Sequence, residues 1–400
     1  MLFQKCFVLA YRALESFYRQ FLFDGILPFW LEHGIDSAHG GLLTCMDEQG
    51  HRLSTDKFIW SQGRGIWTFA AMHRRLQADS ELLQIAAHTA EFCLRHAMLP
   101  DGRVAFRVSQ GGEVLEGSTS IYADLFLAYG LNELYLATGM GRYRETALKL
   151  FKQSVREIRQ PYFNKIAPYA LPERVAWVHG PPMIALEVAN ELLESVSDPE
   201  VEEFVDWALE RIMRRHRRPD MRVVLEHLGP DDEFIDSPSG RAVVPGHALE
   251  SMWFVIHASL RRKRPELVVE AVEMIRWMVE SGWDAEYGGI FLGLDAHGKS
   301  PPWFANAEKK LWWVHCEALY ALLLCRHLTG AAWCEEWLER VRDWSFRHHG
   351  DGSTEWVQRL DRIGKPVTEL IALPVKDPFH LPRSLILSIQ LLSNKHPYVR

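Results

Sequence analysis

Six cysteines in 400 residues are few, and none stands in a Cys-x-x-Cys pair. Cys6, Cys45, Cys93, Cys316, Cys325 and Cys334 are scattered along the chain. They read as free thiols in a reducing compartment rather than as a disulfide framework. A His-Glu-x-x-His pattern is missing, and no histidines stand at metal-ligand spacing, so no metal is expected. No apolar run approaches the roughly 20 residues that span a bilayer. The stretch from Met1 to Phe21 lacks an uncharged core, because Lys5, Arg12, Glu15 and Arg19 interrupt it. It reads as an amphipathic first helix rather than a signal peptide, and the expected location is the cytoplasm. Basic charge is not in excess either. A formal net charge of −7 argues against nucleic acid or an anionic membrane as partner.

What is present is ordinary globular material, 48% apolar and 24% charged, long enough to bury a large core. Fifteen tryptophans point to an extensive aromatic core, a carbohydrate-stacking cavity, or both. One literal motif is a decoy. Gly293 to Ser300 matches the phosphate-loop pattern G-x-x-x-x-G-K-[ST], but that loop works only between a strand and a helix. Here Pro301 and Pro302 follow, and an internal repeat makes the segment a hairpin turn.

The repeat is the strongest organising signal. Asp36-Ser37-Ala38-His39-Gly40-Gly41 matches Asp284-Ala285-Glu286-Tyr287-Gly288-Gly289 at an offset of 248, and Asp47 to Gly50 matches Asp295 to Gly298 at the same offset. Each copy reads as strand, polar turn, strand, a β-hairpin. The aromatic helices that follow align Trp60, Arg64 and Trp67 with Trp313, Glu317 and Tyr320 at an offset of 253. Weaker hairpin copies precede the helices beginning at Ile121, His247 and His380; the helix after His179 lacks one. Helix starts near Arg64, Tyr122, His179, His247, Glu317 and His380 are separated by 58, 57, 68, 70 and 63 residues. Each interval holds an inner helix, an amphipathic outer helix and a connection. The predicted outer helices are Glu81 to Met98, Tyr143 to Ile158, Glu200 to Arg215, Pro265 to Trp283 and Ala332 to His348. The predicted architecture is all-α: an (α/α)6 barrel over residues 1–400 as one domain, with short β-hairpins in the loops at the active-site end. The alternative is an open helical solenoid.

The chemistry-bearing residues fall at one end of the predicted inner helices. His247 and Glu250 share a helix face at i, i+3, and His380 and Arg383 repeat that spacing. Two histidines in one cavity make a pair of bases for opposite faces of a substrate, and Glu250 is the expected partner that sets the His247 tautomer. Arg64, buried in an aromatic helix, needs a carboxylate or a substrate oxygen. His179 is a further candidate beside Gly180-Pro181-Pro182. Trp60, Trp177, Trp253, Trp312, Trp313 and Tyr122 read as core, with one or two of them stacking on a ligand; His257 and His315 read as packing residues.

The segments Phe29 to His33 with Gly40-Gly41, Trp60 to Arg64, Pro245 to Glu250, Leu311 to Glu317 and Phe379 to Arg383 together resemble the N-acylglucosamine 2-epimerase family, in order, from about residue 20 to 393. The resemblance implies an (α/α)6 barrel in which His247 and His380 are acid and base. It places Arg64, Glu250 and Glu317 around the sugar, with Arg64 near the carbonyl oxygen; Tyr122, His179, Trp313 and Arg383 complete the expected substrate contacts. The implied reaction is interconversion of N-acetylglucosamine and N-acetylmannosamine. The alternative is an aldose–ketose isomerase or 2-epimerase on unmodified hexoses such as mannose, glucose and fructose. Further alternatives are a glycoside hydrolase using Glu250 and Glu317, or a non-catalytic sugar-binding protein. Relatives that act on unmodified sugars tend to carry an extra histidine just past the position of His179; here Pro181 to Ile184 stands there, closer to the N-acylhexosamine branch. No cofactor is expected to be required. ATP as an activator enters only through the mammalian-type members, with no supporting feature in this sequence. The expected partners are a small sugar and, for assembly, a second copy in a homodimer.

Overall fold

Helices in this chain are delimited by local chemistry and sorted by polarity. The computed structural model describes residues 2–300, 302–369 and 372–399, with side chains from residue 11 onward; Met1, Pro301 and the Cys6 thiol lie outside. Thirteen α-helices are found among the described residues: α1 Leu2–Gln20, α2 Leu27–His33, α3 Ile59–Ala71, α4 Ser80–His96, α5 Ile121–Thr138, α6 Gly141–Ile158, α7 Gly180–Ser195, α8 Pro199–Glu210, α9 Pro245–Arg261, α10 Pro265–Gly282, α11 Trp312–Thr329, α12 Ala332–His348 and α13 His380–Leu392. Asp79 and Asp198 cap α4 and α8 by accepting backbone N–H groups with their side chains. Gly139 and Gly330 end α5 and α11 in the left-handed conformation that spares a Cβ clash.

Polarity decides the layer. α5 is buried without interruption from Ile121 to Leu134, whereas α6 buries a single stripe of Tyr143, Ala147, Leu150, Phe151, Ser154, Val155 and Ile158. A helix apolar all round must be covered on both sides, and one with a stripe lies outside. Accordingly α3, α5, α7, α9, α11 and α13 pack side by side in a ring that closes from α13 back to α3. The helices α4, α6, α8, α10, α12 and α1 cover α3, α5, α7, α9, α11 and α13 respectively. This is the expected (α/α)6 barrel. Its tightest wall is α3 against α5, where a Cβ on Gly63 would lie 2.4 Å from the Phe126 carbonyl and one on Gly130 2.3 Å from the Gly63 oxygen.

The first part of the internal repeat has matching geometry in both copies. Ile35 bridges Leu42 and Trp283 bridges Ile290, around turns in which Gly40, Gly41, Gly288 and Gly289 all have positive φ. Lys57 Nζ lies 2.8 Å from Asp36 and Lys310 Nζ 3.1 Å from Asp284, and both lysines are fully buried. Gln62 accepts the Leu42 N–H as His315 accepts that of Ile290. His315 is thus a clip between hairpin and helix, and His257 is a buried partner of Glu187 and Tyr320. The clips hold the loops that precede α3 and α11. Burial alone would raise the Asp36 and Asp284 carboxyls, but hydrogen bonds, led by Lys57 and Arg362 respectively, hold both down at about 2. A carboxyl depressed in the folded state contributes stability above its unfolded value near 4 and loses it as pH falls toward 2. The urea midpoint of the wild type is therefore expected to fall over that interval, and that of Asp36→Asn to fall less steeply.

The hairpins differ from expectation in their pairing. The Asp47–Gly50 turn closes locally between Met46 and Arg52, but Leu294–Asp295 pairs with Ala242–Val243 instead of returning on itself. The segment Met221 to Glu226 is likewise divided. Val223–Val224 pairs with Arg217–Arg218, and the following His227–Leu228 pairs with Trp177–Val178, ahead of the helix that lacked a hairpin. Two-residue strands have too little ladder of their own to prefer a local partner, so packing between neighbouring loops decides.

Candidate active site

All six inner helices begin at the same mouth, so their first turns converge there. Pro245 starts α9 and puts His247 in its first turn, and His380 opens α13. Both imidazoles flank the indole of Trp313 on α11, with ring centroids 5.3 and 5.7 Å from it. His247 is the more open, with 29% of its side chain exposed against 7% for His380. Each ring is held through Nδ1 by a carboxylate, Glu226 at 3.1 Å for His247 and Glu317 at 2.7 Å for His380. The expectation that Glu250 holds His247 is therefore corrected. Side chains three residues apart share a face but not a depth, and Glu250, one turn further in, bonds Arg383 instead.

That deeper layer is a buried floor. Arg383 donates to Glu250 and, at 2.8 Å, to Glu317, which also accepts the Trp253 indole N–H at 2.8 Å. All four are essentially inaccessible to solvent. The ligating atoms of Glu250, Glu317 and His380 lie within 4.8 Å of one another, a spacing suited to a cation. The Arg383 guanidinium already provides that charge. Burial acts to raise the Glu317 carboxyl, and the charge of Arg383 with the His380 hydrogen bond outweighs it, holding Glu317 well below the usual range.

Arg64 faces the mouth from α3. It donates to Asp377 at 2.9 Å and stacks 4.1 Å from the Phe126 ring centre. Asp377 uses its second oxygen to accept the backbone N–H groups of Phe379 and His380 at 3.2 and 2.9 Å. One carboxylate thus orients Arg64 and caps the helix that carries His380. Tyr122 lies on α5 with its hydroxyl against Gly180, where an added Cβ would approach to 2.5 Å. The structure puts His179 elsewhere than the cavity surface: it is wholly buried behind Glu226, 3.6 Å from that carboxylate and 3.1 Å from Ser251 Oγ. On His247, burial acts to lower the imidazole pKa, and the charge and hydrogen bond of Glu226, with Glu250 and Glu317 behind, raise it above the ordinary value.

Glu226 and Asp377 are absent from the sequence-derived candidates. Asp377 carries a legible signal, an Asp-Pro three residues before a helix-opening histidine. Glu226 carries only the oddity of a single acid in Val223-Val224-Leu225-Glu226-His227-Leu228.

A sequence model described as N-acylglucosamine 2-epimerase matches residues 41–381. The N-acylglucosamine 2-epimerase of Mus musculus is 31% identical over 379 residues, covering 92% of this chain and 90% of the mouse protein. A cellobiose 2-epimerase of Dictyoglomus turgidum is 22% identical over 394 residues, covering 92% and 96% of the two chains. Among solved structures, a cellobiose 2-epimerase from Bacillus thermoamylovorans superposes with a TM-score of 0.82 at 18% identity, over 95% of this chain and 99% of the other. That likeness supports the barrel fold.

Proposed function

This chain belongs to the N-acylglucosamine 2-epimerase family and is a sugar 2-epimerase, and from that premise we propose that it interconverts N-acetyl-D-glucosamine and N-acetyl-D-mannosamine. The observation that carries the mechanism is the pair of imidazoles flanking Trp313, each tied at Nδ1 to its own carboxylate. With Nδ1 occupied, Nε2 of each ring is the nitrogen left for the sugar. Only the open-chain aldehyde acidifies the C2–H bond. One neutral imidazole takes that proton, C2 becomes planar in an enediolate, and the second imidazole, protonated, returns a proton to the opposite face. The overall change is redox-neutral, and the two rings exchange protonation states in each turnover.

Arg64 is assigned to the enediolate oxygen. Asp377 engages Nη1, which leaves further N–H donors of the fork for an oxyanion. The floor of Glu250, Arg383 and Glu317 keeps the His380 ring in place through Glu317. The N-acetylated substrate follows the name of the relative that is 31% identical along nearly the whole length of both chains.

The direct test is incubation with N-acetylglucosamine in D2O, followed by NMR. N-acetylmannosamine carrying deuterium at C2 is the expected product. Epimer formed with its original C2 proton overturns the two-base mechanism, and a 2-ketose product overturns the assignment of the reaction.

A further inference from the structure

The two imidazoles are built alike but are not supported alike. Glu317 is well partnered: its two oxygens accept from His380, Arg383 and Trp253, and one of those donors is a permanent cation. Glu226 has no such partner. It is buried, and among the described residues its charged-partner contacts are His247 at 3.1 Å and His179 at 3.6 Å, with Oε1 accepting no hydrogen bond. His179 in turn is tied at Nε2 to Ser251 and lies with its ring centre 5.3 Å from that of His216, whose Nδ1 is tied to the Leu225 carbonyl. A carboxylate buried among neutral groups is costly, and the cost is relieved when one contacting group carries a positive charge.

From this asymmetry we infer that Glu226 is a positioning residue that keeps a proton on His247, so that the resting enzyme holds His247 ready as the acid. His247 is chosen over His179 because its contact is shorter and its ring is partly open to water, whereas His179 is fully enclosed. At the other ring, Glu317 shares the permanent charge of Arg383 with Glu250, and Asp377 beneath His380 has Arg64; among the described residues no fixed cation lies against Glu226. The inference rests on the two-base reading of the site and adds where the proton waits.

The groups that face His247 are Glu226 and its neighbour His227, Glu250 on its own helix, and Glu317 on α11. Tyr122, Tyr169 and His179 surround Glu226. Among these the anions favour a protonated His247, and burial opposes it.

Two measurements decide. In substrate-free enzyme labelled with 15N-histidine, with the His247 signal assigned through His247→Gln, His247 is expected to lose its proton at lower pH in Glu226→Gln than in the wild type. A His247 titration left unmoved by Glu226→Gln overturns the inference. In kinetics, forward and reverse reactions both require exactly one proton on the pair, so kcat/KM shows one bell in either direction, and its alkaline limb follows the group that holds that proton. Glu226→Gln is expected to move the alkaline limb about 1–3 units to lower pH, and Glu226→Asp to restore most of the shift. A Glu226→Gln enzyme of reduced kcat with an unmoved alkaline limb would mark Glu226 as purely structural. Absence of C2 deuterium exchange in the wild type would remove the epimerase reading instead, and the NMR titration, which needs no turnover, would still place the proton.

Discussion

His247→Asn and His380→Asn will each lower epimerisation by about 10²- to 10⁴-fold, the range for losing one general acid or base. Their more telling result is what survives. With one imidazole left, the enediolate still forms from the sugar whose C2–H faces that ring, and the same ring can return a proton from solvent. Each variant is therefore expected to exchange the C2 proton of one epimer in D2O without converting it, and the two variants are expected to choose opposite epimers. This follows from the two-base assignment of two separate rings near Trp313, carried on different helices and held by separate carboxylates. NMR of each sugar with each variant measures it. A variant that exchanges both epimers, or that epimerises at full rate, removes that histidine from the assigned role.

Arg383→Met is expected to produce the largest loss of stability. Its guanidinium is the shared partner of Glu250 and Glu317, all three being enclosed between α9, α11 and α13. Removing one member of a buried ionic group costs about 3–5 kcal/mol, because the charge left behind has neither water nor partner. The loss should shrink as pH falls. Without Arg383, burial raises the carboxyls, so the folded variant binds protons more tightly than the unfolded chain and gains stability on acidification. Urea unfolding at several pH values tests both points. A deficit that is small, or independent of pH, would mean that the floor rearranges to solvate its acids.

Much of the site was legible because helical repeats put equivalent residues at equivalent heights. Arg64 and Glu317 were paired by an offset of 253, and the ring brings Arg64 through Asp377, and Glu317 directly, onto the helix of His380. The repeat also carried the buried lysine clips, since Lys57 and Lys310 stand at the same offset. Glu226 and Asp377 escaped notice for a common reason. Both sit outside the helices, in segments whose neighbours in space are distant in sequence, such as Trp177–Val178 beside His227–Leu228. Periodicity says nothing about those pairings.

The amino-acid sequence by itself determined the helices and their inner or outer layer, because polarity and spacing act along the chain within a few residues. Which carboxylate holds which imidazole was decided only by the closed barrel. Glu250 lies three residues from His247 yet turns inward to Arg383, while Glu226, from a separate loop, takes the ring. Hydrogen bonding depends on depth and direction across the cavity, and those exist only once the six helices are packed into their ring.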